Sequence, residues 1–355
     1  MPARPNFHQL SCVVHVHSRY SDGTATVPEI LAAAQANGVD AVLLTDHDSL
    51  EAQRAGWEGW HGSVLLLVGH EISPRAGHFL AFGLDDEIAH DGLREEEICR
   101  AVEERGGFGF AAHPFSEGSR MSALIGRPHP WRAIEHCPSA GIEVWSLVTD
   151  AAEAWRTPGE AIAFLRDPRR VLDGPPARHL ARWDALCARR RVPAIGGLDA
   201  HQTGLRLRGR VLSPLPHERY FGYLHTYVLC DERPNGELAH DRAQVYGALR
   251  EGRSYLALDA FGAARGFSFW AERDGETLAP GGESRAGGWR LRAEAPAACR
   301  LRLVRDGGPA FEAEGREAAF ATAGPGVYRV EARIEAEGRK RTWIVSNPIY
   351  LRTGR

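Results

Sequence analysis

No stretch of the chain approaches eighteen uninterrupted apolar residues, which excludes an ordinary membrane-spanning helix. The first nine residues, Met1 to Gln9, include Arg4 but lack the apolar core of a secretory leader, so a cytoplasmic protein is the expectation. A basic face is missing too. The net charge is -3 over 355 residues and the arginines are dispersed among comparable acids, so binding to nucleic acid is not expected. The six cysteines (Cys12, Cys99, Cys137, Cys187, Cys230 and Cys299) form no CxxC pair and read as reduced core thiols. No GxSxG nucleophile motif occurs, and no internal repeat or low-complexity segment stands out.

The chain does contain strands alternating with helices. An apolar run, Leu10 to Val14, predicts a buried strand, and Val27 to Asn37, with Pro28 and Glu29 in its first turn and Gly38 as its stop, predicts a helix. Strands follow at Val39 to Thr45, Val64 to Val68, His78 to Gly83, Phe108 to Ala112, Gly141 to Ser146, Pro193 to Leu198 and His225 to Cys230. Helices fall near Leu50 to Trp60, Leu93 to Arg105, Ala151 to Leu165, Ala177 to Arg190 and Arg242 to Glu251. That alternation predicts a mostly parallel sheet, and about seven such units close into a barrel more readily than they stay open. Gly118 to Pro130 and Leu205 to Arg219 read as surface loops. From about Phe261 the helical period disappears, and short alternating runs such as Phe267 to Ala271 and Val327 to Ile334 predict a small, sandwich-like all-β module. The expected division is 1–260 and 261–355.

Chemistry concentrates at the ends of the predicted strands. The first runs into His15-Val16-His17, whose alternation points both imidazoles one way, and then into a Ser21-Asp22-Gly23 turn that adds a carboxylate. Later strands run into Asp46-His47-Asp48, Gly69-His70-Glu71, His113-Pro114 and Asp199-Ala200-His201, and Glu143 lies within another. The C-terminal ends of strands are where α/β barrels build active sites. Mixed imidazole and carboxylate donors suit zinc, manganese or iron rather than calcium. They outnumber what one ion can use, so two or three divalent ions are expected.

These stretches resemble the PHP (polymerase and histidinol phosphatase) family. HVHSRYSDG (His15 to Gly23) is similar to its first motif, TDHDS (Thr45 to Ser49) to its second, GHEIS (Gly69 to Ser73) to its third, AAHPF (Ala111 to Phe115) to its histidine-proline motif and GGLDAH (Gly196 to His201) to its last. The resemblance implies a distorted (β/α)7 barrel with a trinuclear metal centre. It assigns His15, His17, Glu71 and Asp199 to one ion. Glu71, His113 and Glu143 go to a second, and Asp22, His47 and His201 to a third. Glu143 stands where many members have histidine, and Asp22 where some do.

Around that set, Asp46 and Asp48 should point away from His47 and serve as hydrogen-bond partners or caps. His70 should face the opposite side from Glu71. His78 is an active-site candidate, because family members acting on small phosphoesters carry a histidine after the third motif. His61, His90, His129, His136, His179, His217, His225 and His240 read as ordinary. Divalent ions lower the pKa of a bridging water from ~15.7 toward ~7, supplying a hydroxide nucleophile, and also neutralise charge on a phosphoryl group. Arg19 and Arg120 are candidates to hold the remaining phosphate oxygens. The function expected first is therefore hydrolysis of a small phosphomonoester or phosphodiester. The alternative is a carbamate or carboxyl-ester hydrolase, because a barrel with a β-module ending SNPIYLR (Ser346 to Arg352) resembles the carbaryl-hydrolysing branch. Two or more arginines near the metals would favour phosphate, and a wall of Phe115, Trp145 and Trp155 would favour a neutral aromatic ester. A non-catalytic PHP module is the third reading.

Overall fold

A computed structural model describes residues 4–121, 126–207, 210–321 and 324–353. Its first eight strands are β1 (His8–Val16), β2 (Ala41–His47), β3 (Gly59–His61), β4 (Val64–Ile72), β5 (His78–Phe82), β6 (Phe108–Ala112), β7 (Gly141–Ser146) and β8 (Ala194–Gly197). β1 pairs with β2 and β2 with β4 in parallel, whereas β5 runs antiparallel to both β4 and β6. Parallel pairing resumes through β6, β7 and β8. Just past β8 the chain returns to β1: Leu198 donates its N–H to Val14 and Ala200 to His15, while His17 donates to Ala200. The architecture is mixed α/β around one large sheet.

Period-two alternation explains how this sheet is buried on both sides. Cys12 and Val14 of β1 pack with Leu43, Leu65, Leu80 and Phe110 in one core. Val13 and, past a register shift after Val14, Val16 pack with Val42, Leu66 and the helix residues Ile30 and Ala34 in another. Burying each large apolar side chain contributes roughly 1.5–3 kcal/mol. The helix Val27–Ala36 starts on a capping box, in which Glu29 accepts from the Thr26 backbone N–H while Thr26 accepts from that of Glu29.

Several elements differ from expectation. The helix predicted over Leu50 to Trp60 is a single turn, Glu51–Arg54, because Gly56 takes a left-handed φ of +78° and the chain extends into β3. The helix predicted over Ala151 to Leu165 is two, Leu147–Ala154 and Pro158–Arg166. Thr157 and Pro158 start the second with their own cap. The reading of six reduced thiols is corrected: Cys99 and Cys137 form a disulfide with Cα atoms 5.9 Å apart, tying the helix Glu95–Glu104 to the segment after Ile134–His136. Thirty-eight residues of separation carry no motif for such a pair. Of the two expected loops, 205–219 contains a small antiparallel pair, Leu205–Leu207 with Arg210–Leu212. Residues 122–125 and 208–209, which also fell in those loops, lie outside the described residues.

The C-terminal strands do not form a separate sheet. Leu224–Cys230 pairs with β1, Ser254–Leu258 pairs with Leu224–Cys230, and Arg339–Ser346 pairs with Ser254–Leu258. One sheet thus runs from the first strands into the β-rich end. Side chains lock the join: Asn347 both accepts from and donates to the backbone of Ala194 at 2.8 Å, and Arg329 grips Asp184 through two 2.8 Å bonds. Gly308–Ala321 is a long strand that the sequence hid, because its Ala, Glu and Gly residues show no apolar alternation.

Candidate metal centre

β1 reaches the site through a distortion. His15 has φ +64°, and the β1–β2 register shifts between Val14 and Val16. Simple alternation therefore does not aim these imidazoles; a bulge does. The His15 and His17 rings end 5.1 Å apart, both fully buried. His113 and Asp199 are also left-handed, at φ +30° and +53°. Non-glycine residues held there cost of order 1–3 kcal/mol each, and such strain concentrates at functional sites.

Glu71 is the hub. Its Oε2 lies 3.2 Å from His15 Nε2, 3.3 Å from His17 Nε2 and 3.1 Å from His47 Nδ1. Its Oε1 lies 2.9 Å from His78 Nδ1 and 3.4 Å from His113 Nε2. Asp199 Oδ1 stands 3.5 Å from His15 Nε2 and 3.6 Å from His17 Nε2. On the solvent side, Asp22 Oδ1 lies 3.2 Å from His201 Nε2 and 3.8 Å from His47 Nε2. Among the described residues, four groups have donor atoms close enough to share an ion: His15 with His17 and Asp199; His15 with Glu71 and His113; His47 with Glu71 and His78; and His17 with Asp22, His47 and His201.

The donors suit metal ions better than each other. Nε2 of His15, both ring nitrogens of His17 and Oε2 of Glu71 are buried without a hydrogen-bond partner, although buried polar atoms are ordinarily paired. Burial opposes the charge on Glu71, but the surrounding histidines, His15 and His78 foremost, hold its carboxyl well below the usual range. Burial also opposes the charged form of His113, yet the Glu71 carboxylate beside it brings that ring to about 8. Asp22 and Asp199 likewise outweigh burial at His201, which reaches about 9. His17 goes the other way, lowered by burial and by the neighbouring His201.

Eight of the nine expected ligand side chains thus converge. Glu143 is placed differently: it sits behind His15 and belongs to none of the four groups. His78, expected near the substrate, stands among the donors. Arg19 is exposed beside a separate depression with Tyr20 and Trp57. Arg120 is exposed and is not part of the pit wall. Arg127 and His129 do line the pit, which encloses about 400 Å³, and the His129 ring stacks 4.5 Å from that of His78. Both lie in the Arg127-Pro128-His129-Pro130 stretch, where no periodicity marked them. Thr149, also on the wall, donates to Asp199. Asp46 turns away from the pit and binds Ser18 and Ser21, while His70 is buried on the far face and accepts from Ile88.

This geometry agrees with the family match, in which the PHP domain model covers residues 14–106. The matched stretch carries His15, His17, Asp22, His47 and Glu71. An uncharacterized protein of Methanocaldococcus jannaschii is 28% identical over 116 residues, covering 29% of this chain and 67% of that protein. A Bacteroides vulgatus two-domain protein containing a predicted PHP-like metal-dependent phosphoesterase aligns over 97% of both chains, at 18% identity and TM-score 0.45. An amidohydrolase from Chromobacterium violaceum aligns over 54% of this chain and 87% of its own, at 18% identity and TM-score 0.32.

Proposed function

We propose that this protein is a metal-dependent hydrolase of small phosphoesters. The observation carrying this reading is the set of buried, unpartnered nitrogen and oxygen atoms of His15, His17 and Glu71 inside one pit. The strand ring from β1 through β2, β4, β5, β6, β7 and β8 is read as the distorted (β/α)7 barrel, spanning 1–260, with 261–355 as the β-module joined to it. His15, His17, Glu71 and Asp199 would hold one divalent ion, His78 and His113 would share Glu71 at a second, and Asp22, His47 and His201 would hold a third. Such ions, manganese, zinc or iron, supply Lewis acidity toward phosphoryl oxygens and generate a nucleophile from water near neutral pH.

The chain's own groups do the rest. Arg127 offers a charge-assisted donor for a phosphate oxygen at the rim. Thr149 restrains Asp199, and Ser73 restrains His47 through a 2.6 Å bond to Nδ1. Two features favour a phosphoester over a neutral aromatic ester or carbamate: Arg127 is present, and among the described residues no Phe, Tyr or Trp lines the pit. Phe115 and Trp145 are instead buried in the helix-facing core. The test is a turnover assay on phosphomonoesters, phosphodiesters, aryl esters and carbamates with His17→Ala and Asp199→Ala. Phosphoester turnover by wild type, lost in both variants with circular dichroism unchanged, is expected; full activity in either variant would refute the ligand assignment.

A further inference from the structure

Glu143 spends both carboxylate oxygens on ligand residues rather than on the pit. Oε1 lies 2.9 Å from Nδ1 of His15, and Oε2 accepts the backbone N–H of His113 at 2.8 Å. A carboxylate facing Nδ1 fixes the tautomer in which Nδ1 carries the proton and Nε2 keeps its lone pair. That Nε2 is the atom directed at Glu71 and Asp199. The second contact holds the main chain of His113 at its left-handed φ of +30°. β8 is shaped around this arrangement: a Cβ at Gly197 would stand 1.9 Å from Glu143 Oε1 and 2.9 Å from the His15 Cβ. Only glycine lets the strand pass so close.

We propose that Glu143 is a positioning residue for His15 and His113 and not itself a metal ligand. The proposal rests on reading the pit as a metal centre. It accounts for a carboxylate at this position: one group accepts from an imidazole and a peptide N–H at once, which an imidazole in its place cannot do. Gly197 and Glu143 then form one device, and disturbing either weakens the same ligands.

The experiment measures manganese(II) binding to the full-length, metal-stripped chain by equilibrium dialysis, for wild type, Glu143→Gln, Glu143→His and Gly197→Ala, with circular dichroism as the folding control. A positioning role predicts about 10- to 100-fold weaker binding in Glu143→Gln, the usual effect of losing such a partner, with the wild-type number of ions restored at saturating manganese. Glu143→His should bind no better than Glu143→Gln. Gly197→Ala should weaken binding with every charged group in place, and carries the comparison if Glu143→Gln fails to fold. Wild-type affinity in Glu143→His, or permanent loss of one ion in Glu143→Gln, overturns the proposal. A wild-type chain that binds no manganese, zinc or iron overturns the reading of the pit itself, a result distinct from those two.

Discussion

Asp46 holds Ser18 twice: one carboxylate oxygen accepts the Ser18 backbone N–H and the other its hydroxyl, each at 2.7 Å. The first oxygen also accepts from the Ser21 hydroxyl at 2.7 Å. One buried side chain thereby sets the path of the loop that leaves His17 and delivers Asp22 to the rim. Asp46→Ala should free that loop and lower metal affinity at the Asp22, His47 and His201 position by about 10- to 100-fold. Titration calorimetry with manganese checks it, and an unchanged isotherm would show that the loop holds itself.

Among the described residues, Arg127 is the arginine that lines the pit. Hydrogen bonds to charged groups contribute about 1.5–3 kcal/mol, so Arg127→Ala should reduce kcat/KM for a phosphoester roughly 10- to 100-fold, mostly through KM. Arg19→Ala, beside a different depression, should leave both constants near wild type. Steady-state kinetics of the two variants decide between the sites.

His70 makes acid stability measurable apart from the metals. Burial lowers its pKa to about 4, against partial opposition from Asp48 and Glu87. An unfolded histidine titrates near 6.5, so between pH 6.5 and 4 the unfolded chain takes up a proton that the folded chain refuses. Stability from the neutral ring is therefore complete above about pH 6.5 and is lost as pH falls toward 4, by roughly 1.4 kcal/mol per pH unit. His70→Gln should flatten that slope. Urea unfolding at pH 7 and pH 5, with chelator present for both proteins, measures the difference.

The β-rich end is joined to the helix Ala177–Arg189 through a buried ion pair. Arg329 and Asp184 are almost fully enclosed, and removing one partner strands the other charge away from water. Arg329→Ala should destabilise the whole chain by about 3–5 kcal/mol in a single transition. Two separated transitions in calorimetry would mean that the ends fold independently.

What the sequence revealed follows from how α/β sheets are buried. Strands covered on both faces read as continuous apolar runs, so a histidine or carboxylate at such a run's end is conspicuous; His15, His47, Glu71, His113 and Asp199 stand out that way, and the fold brings them together. Features depending on one residue's backbone angle or on distant pairing left no trace. The bulge at His15 achieves what alternation was expected to do. The contacts of Glu143 with His15 and His113 join residues far apart in the chain and could not be read from its place in a strand. His129 and Arg127 reach the pit from a loop without period, and Cys99 meets Cys137 only because the chain folds the helix Glu95–Glu104 beside the segment after Ile134–His136.

Hydrolysis of phosphoesters in this pit would depend on bound divalent ions. That dependence is tested most directly by following inorganic phosphate release from a mixed panel of phosphomonoesters, together with phosphodiesters coupled to a phosphatase, as manganese is added back to metal-stripped protein. Negligible release is expected without metal, with a rise that saturates at two or three ions bound per chain. Undiminished turnover by the stripped protein, or none from any phosphoester at saturating manganese, zinc or iron, would contradict it.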